Sequence, residues 1–267
     1  MPITITKLYE YPLKSARGNL LNQIDIDEFG LKNDRKIAVV TATGRVITGR
    51  ERQELLHINS KIEYSSLTLK YPSIEDLNVS LSDLPDIFQA SLFRKKVAGK
   101  VLDNSASLWI SKVLNGNYQL IYFGHNSFDS ANTNNEDLEN RSSYVDSAPV
   151  HLINLKSLEY LNSHLNETVS AEQFRPNLIV DGIEPFEEDT WKEISINGCK
   201  FKVEGITERC VFATIDPITK TKNPNLEPLR TIQSLKNSKA VTFGIDLQPL
   251  DEAVLEVGQT VEVTVIQ

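Results

Sequence analysis

The stretch ITERCVFATIDPITK, residues 206–220, carries Cys210, one of two cysteines in a chain of 267 residues. Arg209 precedes the thiol and an Asp216-Pro217 turn follows it. A neighbouring cation and nearby polar groups favour thiolate over thiol, and thiolate is the form that ligates soft metals. A free cysteine is equally at home as a small buried apolar residue, so the local pattern admits both roles for Cys210. Cys199 alternates with Phe201 and Val203 along one strand face, which is the pattern of core packing.

Basic residues offer a second chemistry. In YPLKSARG, Lys14, Ser15 and Arg17 follow a strand ending at Pro12. In KNDRKIAVV, Arg35 opens another strand, and FRPN sets Arg175 and Asn177 ahead of a third. Strand-end cations with a hydroxyl or amide nearby can hold a phosphate by charge-assisted hydrogen bonds, arginine offering two parallel donors. Taken one at a time, each is also an ordinary solvated charge. The run Arg94, Lys95, Lys96 in LFRKKVAG reads as a solvated charge run or as a basic rim for docking a redox carrier.

Other chemistries are excluded or disfavoured. The four histidines, His57, His125, His151 and His164, have neither HxxxH nor HExxH spacing, which argues against a zinc site. GxGxxG and GxxxxGK[ST] are both missing, removing the commonest dinucleotide and P-loop readings. Two cysteines cannot build a disulfide framework, a cysteine-rich iron–sulfur site or a four-cysteine zinc site. Any redox centre must therefore be borrowed, and any electron relay is expected in another chain. Acidic residues outnumber basic ones 36 to 28, for a net charge of −8, which speaks against nucleic acid as the main partner. The start, MPITITKLYEYPLKS, has no basic segment followed by an apolar one, and no run approaches membrane-spanning length. A cytoplasmic protein without membrane contact is expected.

The elements that must position these groups are mostly strands. LNQIDIDEFG alternates and stops at Gly30, and RKIAVVTATGRVITGR turns at Thr43-Gly44. In NSASLWISKVLNG, Ala106, Trp109, Ile110, Val113 and Leu114 fall at helical spacing, with Gly116 as the stop. Leu155, Leu158, Leu161 and Leu165 predict a second short helix. FRPNLIVDG reads as a buried strand, KEISINGCKFKVEGI as a hairpin turning at Asn197-Gly198, and VEVTVIQ as a last strand. Between the halves lie nearly twenty polar residues without periodicity, HNSFDSANTNNEDLENRSS. The balance predicts a mostly β, α+β fold containing a barrel.

Taken together and in order from residue 3 to about 265, YPLKSARG, DRKIAVV, GRVITGRE, SAPVHLINLKSLEYLN, FRPNLIVDG, ERCVFATIDPITK, EPLRTI and TFGIDL resemble the MOSC family. That family is named for the C-terminal domain of molybdenum cofactor sulfurase, and the nearest likeness is to its amidoxime-reducing and hydroxylaminopurine-detoxifying members. The resemblance implies an N-terminal β-barrel region at 1–124, a polar connection at 125–143 and a MOSC domain at 144–267. It further implies a molybdopterin-type molybdenum cofactor held between the two regions. Pyridoxal phosphate is an association made only for the family at large.

By the family pattern RC-x-x-[ST]-T-x-D-P, Cys210 is the metal ligand and Arg209 lies beside the cofactor. Lys14, Ser15, Arg35, Ser147, Ala148, Arg175 and Asn177 fall on the positions that grip the pterin and its phosphate. Asp216 is implied as a proton donor, although Asp before Pro commonly shapes a turn. Three positions depart from the pattern. Glu208 replaces a small serine and brings a carboxylate near the cofactor, Ala213 replaces a hydroxyl-bearing residue, and Lys220 replaces the glycine that ends the turn. The chain ends at Gln267, so the ferredoxin-like extension of some bacterial relatives is not expected. The implied activity is reduction of N-hydroxylated bases, amidoximes and hydroxylamines. Electrons would come from a separate flavoprotein reductase, with or without a haem or iron–sulfur carrier. The rival is a non-catalytic cofactor carrier, or a sulfur-transfer module with a persulfide on Cys210.

Overall fold

The computed structural model describes residues 2–84, 87–124 and 143–266; the polar connection expected at 125–143 therefore lies, Ser143 apart, outside the described residues. The chain is mostly β and divides into two compact units, each assembled from separate stretches of sequence.

One unit takes residues 1–10, 20–32 and 147–267. Seven of its strands close into a barrel in the order Leu178–Asp181, Val150–Asn154, Thr242–Pro249, Cys199–Glu208, Trp191–Ile196, Thr260–Ile266, Ile3–Glu10 and back to Leu178–Asp181. Closure pairs the edges that would otherwise template aggregation. Alternate side chains point inward: Ile5 and Leu8, Leu178 and Val180, Ile194 and Ile196, Phe201, Ile245 and Leu247 share one buried cluster. Each such side chain contributes roughly 1.5–3 kcal/mol by leaving water. Cys199 belongs to this core at 2% exposure, as its place opposite Ile196 across the Asn197-Gly198 turn requires. Strands Val150–Asn154 and Leu178–Asp181 run parallel. A parallel pair needs a long crossover, and here it contains the helix Leu155–Asn162, which buries Leu158 and Leu161.

The other unit takes residues 11–19 and 33–146. Its five-stranded sheet runs Ile87–Leu92, Lys95–Val101, Tyr118–Tyr122, Ile37–Thr41, Val46–Ile47. A bridge between Arg45 and Ser91 brings the two edges together, so the sheet curls into a small barrel. Its inside is filled by Ala38, Val40, Leu92, Ile121, Phe123 and Tyr144. Tyr144 donates its hydroxyl to the Ala98 carbonyl at 3.0 Å. A second sheet of Asn59–Glu63, Ser66–Tyr71 and Ile74–Ser80 belongs to the same unit. Helix Asn104–Leu114 buries the five residues its periodicity selects. Its stop differs by one position from the expected Gly116. Asn115 adopts the left-handed conformation, and the Gly116 N–H bonds the Ser111 carbonyl at 3.1 Å.

Candidate functional site: a braced arginine and a half-buried thiol

In the larger barrel, strand Cys199–Glu208 ends just before the residues of interest. The Arg209 N–H bonds the Val241 carbonyl at 2.7 Å, which holds the chain in line with its neighbour. Cys210 follows with extended backbone and opens a short 3-10 turn, Val211–Thr214. That turn is tied by the Ala213 N–H to the Cys210 carbonyl at 3.0 Å and by Gln173 Nε2 to the Ala213 carbonyl at 3.0 Å. The thiol is half-buried and free. Ala213, where the resemblance places a hydroxyl-bearing residue, is buried and presents only a methyl group.

Arg209 is fixed from three directions. Its Nη1 donates to His151 Nε2 at 3.2 Å, Nη2 donates to the Phe174 carbonyl, and its guanidinium carbon lies 5.4 Å from the Phe174 ring centre. Phe174 is buried and stacks on Phe243 at 4.4 Å. Because arginine has only donors, His151 Nε2 must accept and its proton must sit on Nδ1. Nδ1 faces the Ile245 carbonyl at 3.2 Å and the Thr207 hydroxyl at 3.0 Å, and Thr207 donates to Asp246 Oδ1 at 2.8 Å. Arg175 follows Phe174 and places its guanidinium carbon 5.7 Å from the Phe212 ring centre.

Asn177 is 1% exposed and works as a clamp. Its Oδ1 accepts from the His151 N–H at 3.1 Å and its Nδ2 donates to the Tyr9 carbonyl at 3.1 Å. It thus ties together the strands carrying Tyr9 and His151. Tyr9 in turn donates to Glu172 Oε1 at 3.2 Å; burial first, then the Glu172 charge, push its pKa up to about 12. Ser147 is exposed and Ala148 half-buried, just ahead of Pro149 and strand Val150–Asn154.

Glu208 is exposed, and among the described residues no ion pair joins it to Lys220. Asp216 Oδ1 accepts the N–H groups of Ile218 at 2.8 Å and Thr219 at 2.7 Å, the geometry of a turn-shaping aspartate.

The smaller barrel unit carries the other predicted cations. Lys14 is 5% exposed and its Nζ donates to the Tyr144 carbonyl at 2.8 Å and to the Asp146 carboxylate. Arg50 Nη2 approaches the second Asp146 oxygen at 3.7 Å. Arg35 is ion-paired to buried Asp34 and lies over the Tyr11 ring at 4.4 Å. Asp34 also accepts the Tyr11 N–H at 2.8 Å. Crowding by protein pushes the Asp146 carboxyl up, yet Lys14, Arg50 and Arg35 together hold it below the usual carboxylate range. Lys95 donates to the Asp146 carbonyl at 3.2 Å, and Arg50 lies 4.8 Å over the Phe93 ring. The turn of the basic run 94–96 therefore adjoins this cluster.

Backbone geometry singles out several of the same positions. Ser15, Arg35, Arg175 and Lys220 have φ of 66°, 49°, 55° and 60°. Left-handed backbone costs a non-glycine residue on the order of 1–2 kcal/mol, and it persists where surroundings over-determine it. Lys220 occupies the left-handed position where the resemblance places glycine.

Among the residues of these clusters that the sequence did not single out are His151, Arg50 and Asp146. Arg50 lies in GRVITGRE and His151 in SAPVHLINLKSLEYLN, but nothing local distinguishes a bracing side chain from a core or surface one. Among the described residues no group of three or more His, Cys, Asp and Glu is placed to hold a bare metal ion. No helix among them is long and apolar enough to cross a membrane.

The chain is thus mostly β, with a closed seven-stranded barrel and a half-buried cysteine behind a braced arginine. The MOSC N-terminal β-barrel domain family matches residues 2–117, and the MOSC domain family matches residues 139–262. Mitochondrial amidoxime reducing component 2 of Rattus norvegicus is 31% identical over 245 residues, spanning 87% of this chain and 72% of the relative. Mitochondrial amidoxime-reducing component 1 of Danio rerio is 30% identical over 242 residues, spanning 87% and 74%. The chain belongs to the MOSC family and is similar over most of its length to these amidoxime reducing components.

Proposed function

We propose that the chain is a molybdenum-cofactor-binding oxidoreductase that reduces N-hydroxylated compounds, with electrons from a separate redox protein. The observation that carries the proposal is the Cys210 thiol, half-buried and set directly after an arginine held by His151 and Phe174.

The residues present fit the implied group. A single soft thiolate suits a metal that brings its own sulfur ligands, whereas a bare ion would need several side chains. Buried or braced cations (Lys14, Arg35, Arg175 and Arg209) suit a phosphate-bearing pterin. When bound, the cofactor would supply the two electrons that, with two protons, convert an N–OH group to N–H and water. The chain's part is to supply the Cys210 sulfur, to orient Arg209, and to grip the anion. Asn177 orients His151 through its backbone and so positions Arg209 indirectly. Ser15, Ser147, Ala148 and Glu208 enter as further cofactor contacts from the family resemblance, Glu208 standing where the pattern has a serine, and Asp216 enters as a proton donor. The turn bonds to Asp216 Oδ1 leave a proton role to its other oxygen. Two free cysteines suit the reducing cytoplasm.

Metal and pterin analysis of the purified chain tests this. Near-stoichiometric molybdenum and pterin, with N-hydroxy reduction driven by a reduced viologen but not by NADPH alone, is expected. A labile sulfane sulfur on a metal-free chain would instead make it a sulfur carrier.

A further inference from the structure

The cation cluster of the smaller barrel unit contains an anion of its own. Lys14 is 6% exposed at its side chain, so its ammonium has lost its water and needs a charged partner. Asp146, by contrast, is 53% exposed at its side chain. It reaches the cluster from the solvent side, out of a segment, 143–149, that forms neither helix nor strand. Tyr144 fixes the path of that segment: its ring fills the barrel, and its N–H bonds the Arg35 carbonyl at 2.8 Å. The Asp146 side chain can therefore rotate away while the Lys14 ammonium stays on the Tyr144 carbonyl.

Charge gives the reason it should. Lys14, Arg35 and Arg50 face Asp34 and Asp146, and Arg35 is already paired with Asp34. Withdrawing Asp146 raises the excess from one positive charge to two. A phosphate monoester carries about −1.5 to −2 near neutral pH, which matches the cluster without Asp146 and exceeds the single positive charge left with Asp146 in place. Resting on the reading that this chain takes a phosphate-bearing cofactor, we propose that Asp146 is a resident counter-ion that occupies the phosphate position until the ligand displaces it. Its pairing keeps the buried lysine satisfied in the ligand-free chain and sets a threshold for anion binding. Lys95, held to the Asp146 carbonyl, stays beside the site in either state.

The probe is inorganic phosphate at low ionic strength, followed by calorimetry. Asp146→Asn should bind it about three- to tenfold more tightly than the parent chain, and adding Lys14→Met should remove the gain. Equal or weaker binding by Asp146→Asn overturns the proposal, as does failure of both chains to bind phosphate. Should Asp146→Asn not fold, carboxyl NMR of the parent chain decides. The Asp146 titration midpoint should move up when phosphate saturates the site, and an unchanged midpoint with phosphate bound rejects the displacement. Molybdenum and pterin content of the same preparations reports separately on the function. A chain without cofactor that still shows the exchange would sink the functional reading and leave this inference standing.

Discussion

Arg209 Nη1 lies 3.2 Å from His151 Nε2, so the arginine that precedes the candidate metal ligand is held by a histidine 58 residues earlier. The contact sets the imidazole tautomer, because the guanidinium leaves Nε2 no choice but to accept. Thr207 and the Ile245 carbonyl receive the other side of the ring. His151→Leu should keep the barrel folded but release one of the three restraints on Arg209. Cofactor occupancy is expected to fall severalfold with little change in Tm. Nitrogen NMR of the parent chain should show the Nδ1–H tautomer, and an Nε2–H tautomer would reject the brace.

The two cysteines should separate cleanly. Cys210→Ala is expected to abolish N-hydroxy reduction and leave the melting curve unchanged, since the thiol is half-buried and outside the core. Cys199→Ala removes a buried sulfur that contacts the Asp251 carbonyl at 3.3 Å, and should cost about 1 kcal/mol while sparing activity. Full activity in cofactor-loaded Cys210→Ala would end its assignment as ligand.

Arg175→Ala and Lys14→Ala should lower cofactor content more than turnover per bound molybdenum. Loss of one charge-assisted partner to a buried phosphate costs roughly 1.5–3 kcal/mol, about ten- to a hundredfold in occupancy below saturation. Unchanged cofactor content in both variants would show that the phosphate binds elsewhere.

Glu188 predicts a pH dependence. The carboxyl is 0% exposed, with Ser157 Oγ 2.7 and 2.9 Å from its two oxygens and Asn154 Nδ2 at 3.2 Å. Burial pushes its pKa up, and the bonds from Ser157 and Asn154 offset that only in part, with the Asp189 charge adding to the rise. The folded state therefore holds the proton more tightly than the unfolded chain, whose value is near 4.5. The stability this contributes is full below that value and is lost as pH rises through the folded pKa. Glu188→Gln keeps the shape without the charge. It should raise Tm by a few degrees at neutral pH, with the gain vanishing in acid. A pH-independent difference between the two chains would refute the assignment.

Lys220 predicts a stabilising change. Its φ of 60° suits glycine, and the turn is held by Asp216 whichever residue stands there. Lys220→Gly should gain on the order of 1 kcal/mol, less the entropy glycine gives back in the unfolded chain. A Tm rise of about 2–4 °C per kcal/mol is expected by calorimetry, and a fall would show that the lysine side chain supports the turn.

Alternation alone determined most of the strands, because burial of one sheet face is written in every second residue. It put Cys199 beside Phe201 in the core and placed the Asn197-Gly198 hairpin, while helical spacing gave Asn104–Leu114 in full and Leu155–Asn162 short of the expected Leu165. The ordered motifs also identified the family and marked Cys210, Lys14, Arg35 and Arg175. What no local pattern contained was the set of partners. His151 reaches Arg209 only because strand Val150–Asn154 pairs with Thr242–Pro249 in one register; a slip by one residue would turn the ring to the other face. Asp146 meets Lys14 across 132 residues because Tyr144 fills the barrel next to it. The turn at Asp216 shows the converse: its shape was legible in Asp-Pro, whereas the left-handed strain at Lys220 emerged only once the backbone was in view. Residue types and short spacings fix which elements form, since those are decided by neighbours. Which side chains meet is decided by barrel closure and strand register, and these exist only in the folded chain.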